Sequence, residues 1–203
     1  MSDPLTDRLN QILPKLSSAD FLSTQGIGNE IAFYIFDYPP EEELRVREYI
    51  QFLLPQLPRH KPGLRVMHVN LFDFLTDYLR ERKLLEKALQ LQRDKGNEAL
   101  LKALKSVLHE EKVARRFADI ARPQEHDLVL ISGVGSAYPL LRSHTLLSNL
   151  HTIMGQTPLV MFYPGRYDMQ TLRLFGKTGL AGGATEERRK STNYYRAFRL
   201  ITD

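Results

Sequence analysis

Residues 126–144 read HDLVLISGVGSAYPLLRSH, and this stretch predicts the fold of the chain. An apolar run, DLVLIS (127–132), is followed at once by a glycine-bearing loop and then by a segment with helical spacing. An uninterrupted apolar run of this kind is typical of a strand that is covered on both faces, as in a parallel sheet. The stretch therefore predicts a strand, a loop, and a helix from about Pro139 to Met154.

Other segments extend this pattern in both directions along the chain. The further predicted strands are IAFYIFDY (31–38), LRVMHVNL (64–71), PLVMFY (158–163) and a last strand from Tyr195 to Ile201. Asp3 and Pro4 predict the start of an N-terminal helix. A long turn before the second strand is predicted from its helix-breaking residues, which are Pro55, Pro58, Pro62 and Gly63.

About 50 residues with helical spacing separate the second and third strands, more than one ordinary crossover helix needs. A turn over Asp94 to Asn97 divides them, since Gly96 suits the end of one helix and Asn97 the start of the next. The expected fold is therefore α/β: a single three-layer domain over residues 1–203. Its sheet should be mostly parallel, Rossmann-like or P-loop-like, with a helical hairpin inserted over 72–120.

The composition excludes several classes of protein. The 203 residues include no cysteine, which excludes disulfides, thiolate metal sites and a cysteine nucleophile. The net charge of +4 and the isoelectric point near 9.3 are, alone, weak indications of nucleic-acid binding. The N-terminus lacks the apolar core of a signal peptide, and no apolar stretch is long enough to span a membrane, so a cytoplasmic chain is expected.

The glycine loop after the third strand is the first candidate site. A GxG turn before a helix could cradle an anion on backbone N–H groups. The third glycine of a dinucleotide fingerprint and the lysine of a P-loop are missing, so a tight strand-to-helix turn is the favoured interpretation. Ser136 lacks the G-x-S-x-G elbow, which argues against serine hydrolysis. The candidate residues of this region are Gly133, Gly135, Ser136, Tyr138 and Arg142.

A lone carboxylate and two Tyr/Arg-rich segments complete the candidates. Asp37 ends the first strand, where an acid could hold Mg²⁺ in a P-loop-like fold or cap the next helix. The Tyr/Arg candidates are Gly165, Arg166, Tyr167, Tyr194, Tyr195 and Arg196. Arginine and tyrosine suit either a partner interface or a clamp that closes the end of the sheet, and both interpretations stay open. No catalytic residue, cofactor or metal site is predicted.

Four motifs resemble the BrxB family, the B component of bacterial BREX phage-defence systems. They are GxGSAYPLLRSHxLLxNL, TPLVMFYPGRYDxxxLxLFG, NYYRAFRL and QGIGNEIAFYIFDYPPEEEL, which together span most of the chain. The resemblance implies a non-enzymatic accessory protein that docks PglZ, a phosphatase-superfamily protein. It also implies two other BREX components, a large ATPase and a DNA methyltransferase, as further candidate partners. It supplies no catalytic residues.

Two other functions remain as alternatives. One is a divergent nucleotide- or phosphate-binding enzyme without a standard P-loop, whose site would comprise Asp37, Gly133, Gly135, Ser136, Arg142 and Arg166. The other is a DNA-binding subunit of the same complex, whose basic residues would be Arg115, Arg116, Arg122 and Arg188 to Lys190.

Overall fold

A parallel sheet forms the centre of the fold. The computed structural model describes residues 3–23, 33–151, 153–169, 171–175 and 197–202. The strands are β1 (Phe33–Tyr38), β2 (Val66–Asn70), β3 (Leu128–Ser132), β4 (Leu159–Tyr167), β5 (Leu172–Leu174) and β6 (Ala197–Arg199). Their order is β2-β3-β4-β1-β6, all of these neighbours are parallel, and β5 pairs antiparallel with the end of β4. The predicted mostly parallel sheet is thus confirmed.

Helices cover both faces of this sheet. They are α1 (Pro4–Ser17), α2 (Ala19–Ser23), α3 (Glu43–His60), α4 (Leu71–Glu81), α5 (Leu85–Leu104), α6 (Glu110–Ala121), α7 (Val134–Ala137) and α8 (Ser143–Leu150). Leu128 and Leu130 of β3 pack with α1, α2 and α3, whereas Val129 and Ile131 face α4 to α8. Successive side chains of a strand point to opposite faces, and helices cover both faces of this sheet. Both sets of β3 side chains are therefore buried, which explains the uninterrupted apolar run. The three-layer α/β architecture is confirmed.

The first helix after β1 is longer than the sequence predicts. The predicted long turn from Pro55 is wrong, since α3 continues through Pro55 and Pro58 to His60. Both prolines are exposed, whereas Leu53 and Leu57 are fully buried against the sheet. Burial of these two leucines offsets the helical hydrogen bonds that the prolines cannot donate.

The segment between β2 and β3 contains three helices, whereas the sequence predicted a two-helix hairpin over 72–120. The chain breaks after Glu81, where Lys83 has a left-handed backbone (φ 58°), and again between Leu104 and Glu110. The turn predicted at Asp94 to Asn97 is confirmed: α5 consists of two helical stretches that meet at Gly96, whose φ of 79° and ψ of −178° are not helical. Glycine tolerates that conformation at little steric cost.

The helix predicted from Pro139 to Met154 is also corrected. The short helix α7 ends at Ala137, the peptide bond between Tyr138 and Pro139 is cis, and α8 begins only at Ser143.

Candidate functional site

The carboxyl edge of the parallel sheet brings together several loops that the sequence singled out. The chain leaves β1 toward α3 on one face and leaves β3 toward α7 on the other, and β4 lies between these strands. In doubly wound α/β proteins such a change of direction opens a crevice where ligands bind. Gly133, Gly135 and Ser136 follow β3 at this edge, while Gly165 and Arg166 belong to the end of β4.

The end of β4 fills this crevice. Residues 165–167 extend beyond the pairing with β1 and pair instead with β5. A Cβ atom on Gly135 would lie 3.0 Å from Cγ of Pro164 and 3.1 Å from Cε1 of Phe175. A Cβ atom on Gly165 would lie 2.2 Å from the carbonyl oxygen of Arg173. Both glycines therefore permit protein to pack closely against protein, in the space that a ligand occupies elsewhere in this fold class.

Gly133 has a structural role of its own. Its φ of 69° lies in the left-handed region, and a Cβ atom there would lie 2.2 Å from Oδ1 of Asn70. That oxygen caps α4, where it accepts a hydrogen bond from the backbone N–H of Phe72 at 3.0 Å. The geometry favours the tight strand-to-helix turn over the ligand cradle for this glycine.

A small open pocket of about 180 Å³ remains beside the β3 loop; its lining residues are Pro40, Glu43, Gly135, Ser136, Pro164 and Phe175. Its polar groups already engage one another. Arg47 donates from Nε to Glu43 at 2.8 Å and from Nη2 to Oγ of Ser136 at 2.9 Å. The hydroxyl of Tyr38 donates to Glu43 at 2.6 Å, and burial, followed by this hydrogen bond, raises the pKa of Tyr38 far above its ordinary value. The charges of Glu43 and Arg47 thus balance each other at this pocket.

Asp37 lies inside the protein, with only 7% of its surface exposed. Its Oδ1 accepts a hydrogen bond from Nη2 of Arg8 at 2.9 Å, and its Oδ2 accepts one from the backbone N–H of Tyr167 at 3.0 Å. Nη2 of Arg199 lies 3.7 Å from Oδ2. This carboxylate is therefore satisfied by protein groups from α1, β4 and β6, and the sequence missed both arginines.

Tyr167 belongs to the same buried network. Its hydroxyl donates to the carbonyl oxygen of Ala197 at 2.6 Å, and its own carbonyl accepts from Nη2 of Arg199 at 2.5 Å. Burial, with a smaller contribution from Asp168, raises the pKa of this phenol. Of the two interpretations left open for Tyr167, the geometry favours the clamp.

A cross-strand pair that the sequence did not reveal lies nearby. Nε2 of His68 on β2 is 2.8 Å from Oγ of Ser132, the buried last residue of β3. Burial lowers the pKa of His68, and Asp73 opposes this effect in part. The pair joins the outermost strand β2 to the rest of the sheet.

Four large apolar side chains are exposed at the carboxyl edge, each after a different strand. They are Leu44 after β1 (71% exposed), Phe72 after β2 (42%), Tyr138 after β3 (40%) and Met169 after β4 (55%). Arg142 and Arg166 are exposed at the same edge. The sequence singled out Tyr138 and both arginines but missed the other three, although each stands within six residues of a strand's end. We call Leu44, Phe72, Tyr138, Met169 and Arg166 the docking edge.

Other expectations fall partly outside the described residues. Tyr194, Tyr195 and Arg196 lie there, so their positions do not enter the site. Within the described ranges, no group of three or more His, Cys, Asp or Glu side chains is placed to hold a metal ion. Within the same ranges, no helix has both the length and the apolar character to cross a lipid bilayer.

Comparisons with a family model and with curated proteins both point to one protein family. A family model described as "BREX protein BrxB" matches residues 67–200. The chain is 39% identical over 201 residues to "BREX protein BrxB" of Bacillus cereus (strain H3081.97), covering 97% of each chain. It is 41% identical over 205 residues to "BREX protein BrxB" of Escherichia coli O9:H4 (strain HS), covering 100% of this chain and 95% of the relative. No solved structure matches the chain.

Proposed function

The chain belongs to the BrxB family of BREX proteins, and we propose that it is a non-enzymatic assembly subunit that docks the phosphatase-superfamily protein PglZ. Membership of the family makes the chain a component of a BREX system, and other BREX components are therefore its partners. The choice of PglZ, the absence of catalysis and a cytoplasmic location are parts of the proposal.

The docking edge is the observation that carries this proposal. Exposed large apolar side chains are individually common, but here four follow four different strands and lie at the same edge of the sheet. Aromatic residues, methionine and arginine are enriched in protein interfaces, and Tyr138, Phe72, Met169 and Arg166 belong to these classes. The underlying strands and the filled crevice give these side chains a rigid base, which lowers the entropic cost of binding.

The alternative of a nucleotide- or phosphate-binding enzyme receives less support. Of its proposed residues, Asp37 is buried in ion pairs with Arg8 and Arg199, and the two loop glycines pack against protein. The remaining pocket measures only about 180 Å³, and Arg47 beside it is already engaged by Glu43 and Ser136. Titration with ATP and GTP in the presence of Mg²⁺ should give no heat, and saturable heat would restore the alternative.

Co-purification with PglZ tests the proposal. The full chain and the PglZ protein of the same BREX system are co-expressed, with an affinity tag on PglZ, and the eluted complex is passed over a size-exclusion column. We expect co-elution, and we expect the double variant Phe72→Ser, Met169→Ser to lose it. The matched control is Phe52→Ser, Leu89→Ser, which removes two exposed apolar side chains far from the docking edge on α3 and α5. Equal retention of both variants would contradict the proposed surface, and absence of any complex would contradict the partner.

A further inference from the structure

The net positive charge of the chain is concentrated in one segment, which we call the basic arm (residues 82–115). The arm has nine Lys and Arg residues against five Asp and Glu, whereas the rest of the chain has 19 of each. The nine are Arg82, Lys83, Lys87, Arg93, Lys95, Lys102, Lys105, Lys112 and Arg115. The whole excess of +4 therefore lies in 34 of the 203 residues.

The nine cations of the arm are open to solvent. All nine side chains are exposed, and within the part of the chain that the structure describes none forms an ion pair. Most of the described arginines outside the arm are instead paired with acids; they include Arg8, Arg45, Arg47, Arg65, Arg80, Arg116, Arg122 and Arg173. Arg116 and Arg122, suggested by the sequence for DNA binding, are thus engaged within the protein.

Much of α5, the longest helix of the arm, is exposed to solvent. Of the 20 residues of α5 only Ala88 and Leu104 are buried, and residues 92–98 around the bend at Gly96 are all exposed. The polar side chains of α5 are therefore mostly open to solvent, while Leu85 and Leu100 pack against the core. The arm as a whole carries a net charge of +4, and binding of an anionic partner would relieve the repulsion among its cations.

The chemistry of the arm distinguishes between two kinds of anionic partner. Protein interfaces are enriched in aromatic residues and depleted in lysine. Residues 82–115 include six lysines and no Phe, Tyr or Trp, and Leu89 is the arm's one exposed large apolar side chain. Single-stranded nucleic acid is bound largely by stacking on aromatic rings, which the arm lacks. Contacts from lysine, arginine and amide side chains to a phosphate backbone need neither apolar anchors nor rings.

We propose that the basic arm binds the phosphate backbone of double-stranded nucleic acid without reading its sequence. The exposed amide of Asn97 stands among the cations; its Oδ1 accepts a hydrogen bond from Nε2 of Gln92 at 2.9 Å, and its NH₂ group can donate to phosphate oxygens. This function is independent of the docking edge, because the two surfaces use different residues on different elements. The chain can therefore hold a protein partner at one surface and a duplex at the other.

Fluorescence anisotropy of a labelled DNA duplex of about 20 base pairs and arbitrary sequence tests the proposal, with the full chain titrated between about 50 and 200 mM salt. We expect micromolar binding that weakens steeply with salt. The variant Lys87→Gln, Lys95→Gln, Lys102→Gln should bind about tenfold more weakly at low salt, and its salt slope should be shallower by about 3.

The matched control removes three cations outside the arm, through Lys15→Gln, Arg59→Gln and Lys61→Gln. It should bind like the wild type, and circular dichroism should show that both variants are folded. Equal weakening by the two variants would mean a bulk charge effect and would overturn the proposal. So would the absence of salt-dependent binding to the duplex, or arm-dependent binding of a polyglutamate peptide without binding of the duplex.

Discussion

The backbone N–H of Tyr167 donates to Oδ2 of Asp37 at 3.0 Å, which ties the end of β4 to the end of β1 across 130 positions of the sequence. Arg8 from α1 and Arg199 from β6 reach the same carboxylate at 2.9 Å and 3.7 Å. Asp37 therefore joins four elements that are distant along the chain, and the docking edge rests on this junction.

Replacement of Asp37 should destabilise the fold strongly. Asp37→Asn removes the charge that two partly buried guanidiniums face, so we expect the free energy of unfolding in urea to fall by about 3 kcal/mol. The control is Asp77→Asn, because the ion pair of Asp77 with Arg80 is exposed. It should change stability by no more than about 0.5 kcal/mol. Equal, small effects of the two substitutions would contradict the role of Asp37 as a structural junction.

The filled crevice predicts a ranking of two glycine substitutions. In Gly165→Ala the new Cβ meets a backbone oxygen at 2.2 Å, whereas in Gly135→Ala it meets side-chain atoms at 3.0 Å and 3.1 Å. Side chains can shift where backbone cannot, so Gly135→Ala should cost about 1 kcal/mol and Gly165→Ala about 3 kcal/mol. Chemical denaturation measures both values. The reverse order would mean that β5 does not pack on β4 as described.

The pair of His68 and Ser132 predicts a pH dependence of stability. Burial lowers the pKa of His68 below 6.5, so the folded protein binds this proton more weakly than the unfolded chain does. The stabilising contribution is therefore complete above pH 6.5 and is lost as the pH falls from there toward the folded-state pKa. His68→Asn cannot titrate and should show a flatter stability profile between about pH 6.5 and 5.

A control separates this effect from the other histidines. The matched control is His109→Asn at an exposed position between α5 and α6, and the profile of His68→Asn should be flatter than the profile of this control. Unfolding midpoints of the wild type and of both variants, measured at several pH values, give the three stability profiles to be compared. A wild-type profile that is flat below pH 6.5 would show that His68 does not have the buried environment described.

The prolines of α3 predict a stabilising substitution. Pro55 is exposed in the helix interior, so Pro55→Ala restores a backbone donor without removing buried surface. We expect the free energy of unfolding to rise by about 1–2 kcal/mol, less than the full helical penalty of proline because the unfolded chain also gains freedom. The control is Pro4→Ala at the start of α1. The backbone N–H that alanine restores there has no helical partner, so this variant should not gain stability in the same way. A destabilised Pro55→Ala variant would contradict a continuous α3.

Local patterns predicted much of the fold, because strands and helix starts depend on the spacing of apolar residues and on capping residues that are close in sequence. Five apolar runs gave strands close to their observed positions, and Asp3 caps α1 with its side chain as expected. The interior prolines of α3 predicted a turn that is not there. Helix propensity does not include the burial of Leu53 and Leu57, which keeps the helix intact. The cis peptide bond before Pro139 likewise leaves no local signal that sets it apart from an ordinary proline.

The sequence predicted where the candidate site lies in the fold, but it predicted fewer of the contacts and exposures of its residues. Loops after parallel strands meet at one edge of the sheet, and this rule brought the β3 loop and the end of β4 together. The inward position of Asp37 depends on Arg8 and Arg199, which lie 29 and 162 positions away in sequence, and no spacing rule reports such contacts. The exposure of Leu44, in the first turn of α3, and of Met169, after β4, was equally hidden, because an apolar residue type does not by itself tell whether the side chain is buried.

Hydrogen–deuterium exchange of the full chain, alone and with PglZ, tests the central claim most directly. The docking edge predicts slower exchange in four separate peptides, which contain residues 40–47, 70–74, 134–140 and 164–169. Peptides from 85–104 in the basic arm should exchange at the same rate with and without PglZ. Protection confined to the arm, or a complex that leaves all four edge peptides unchanged, would contradict the account.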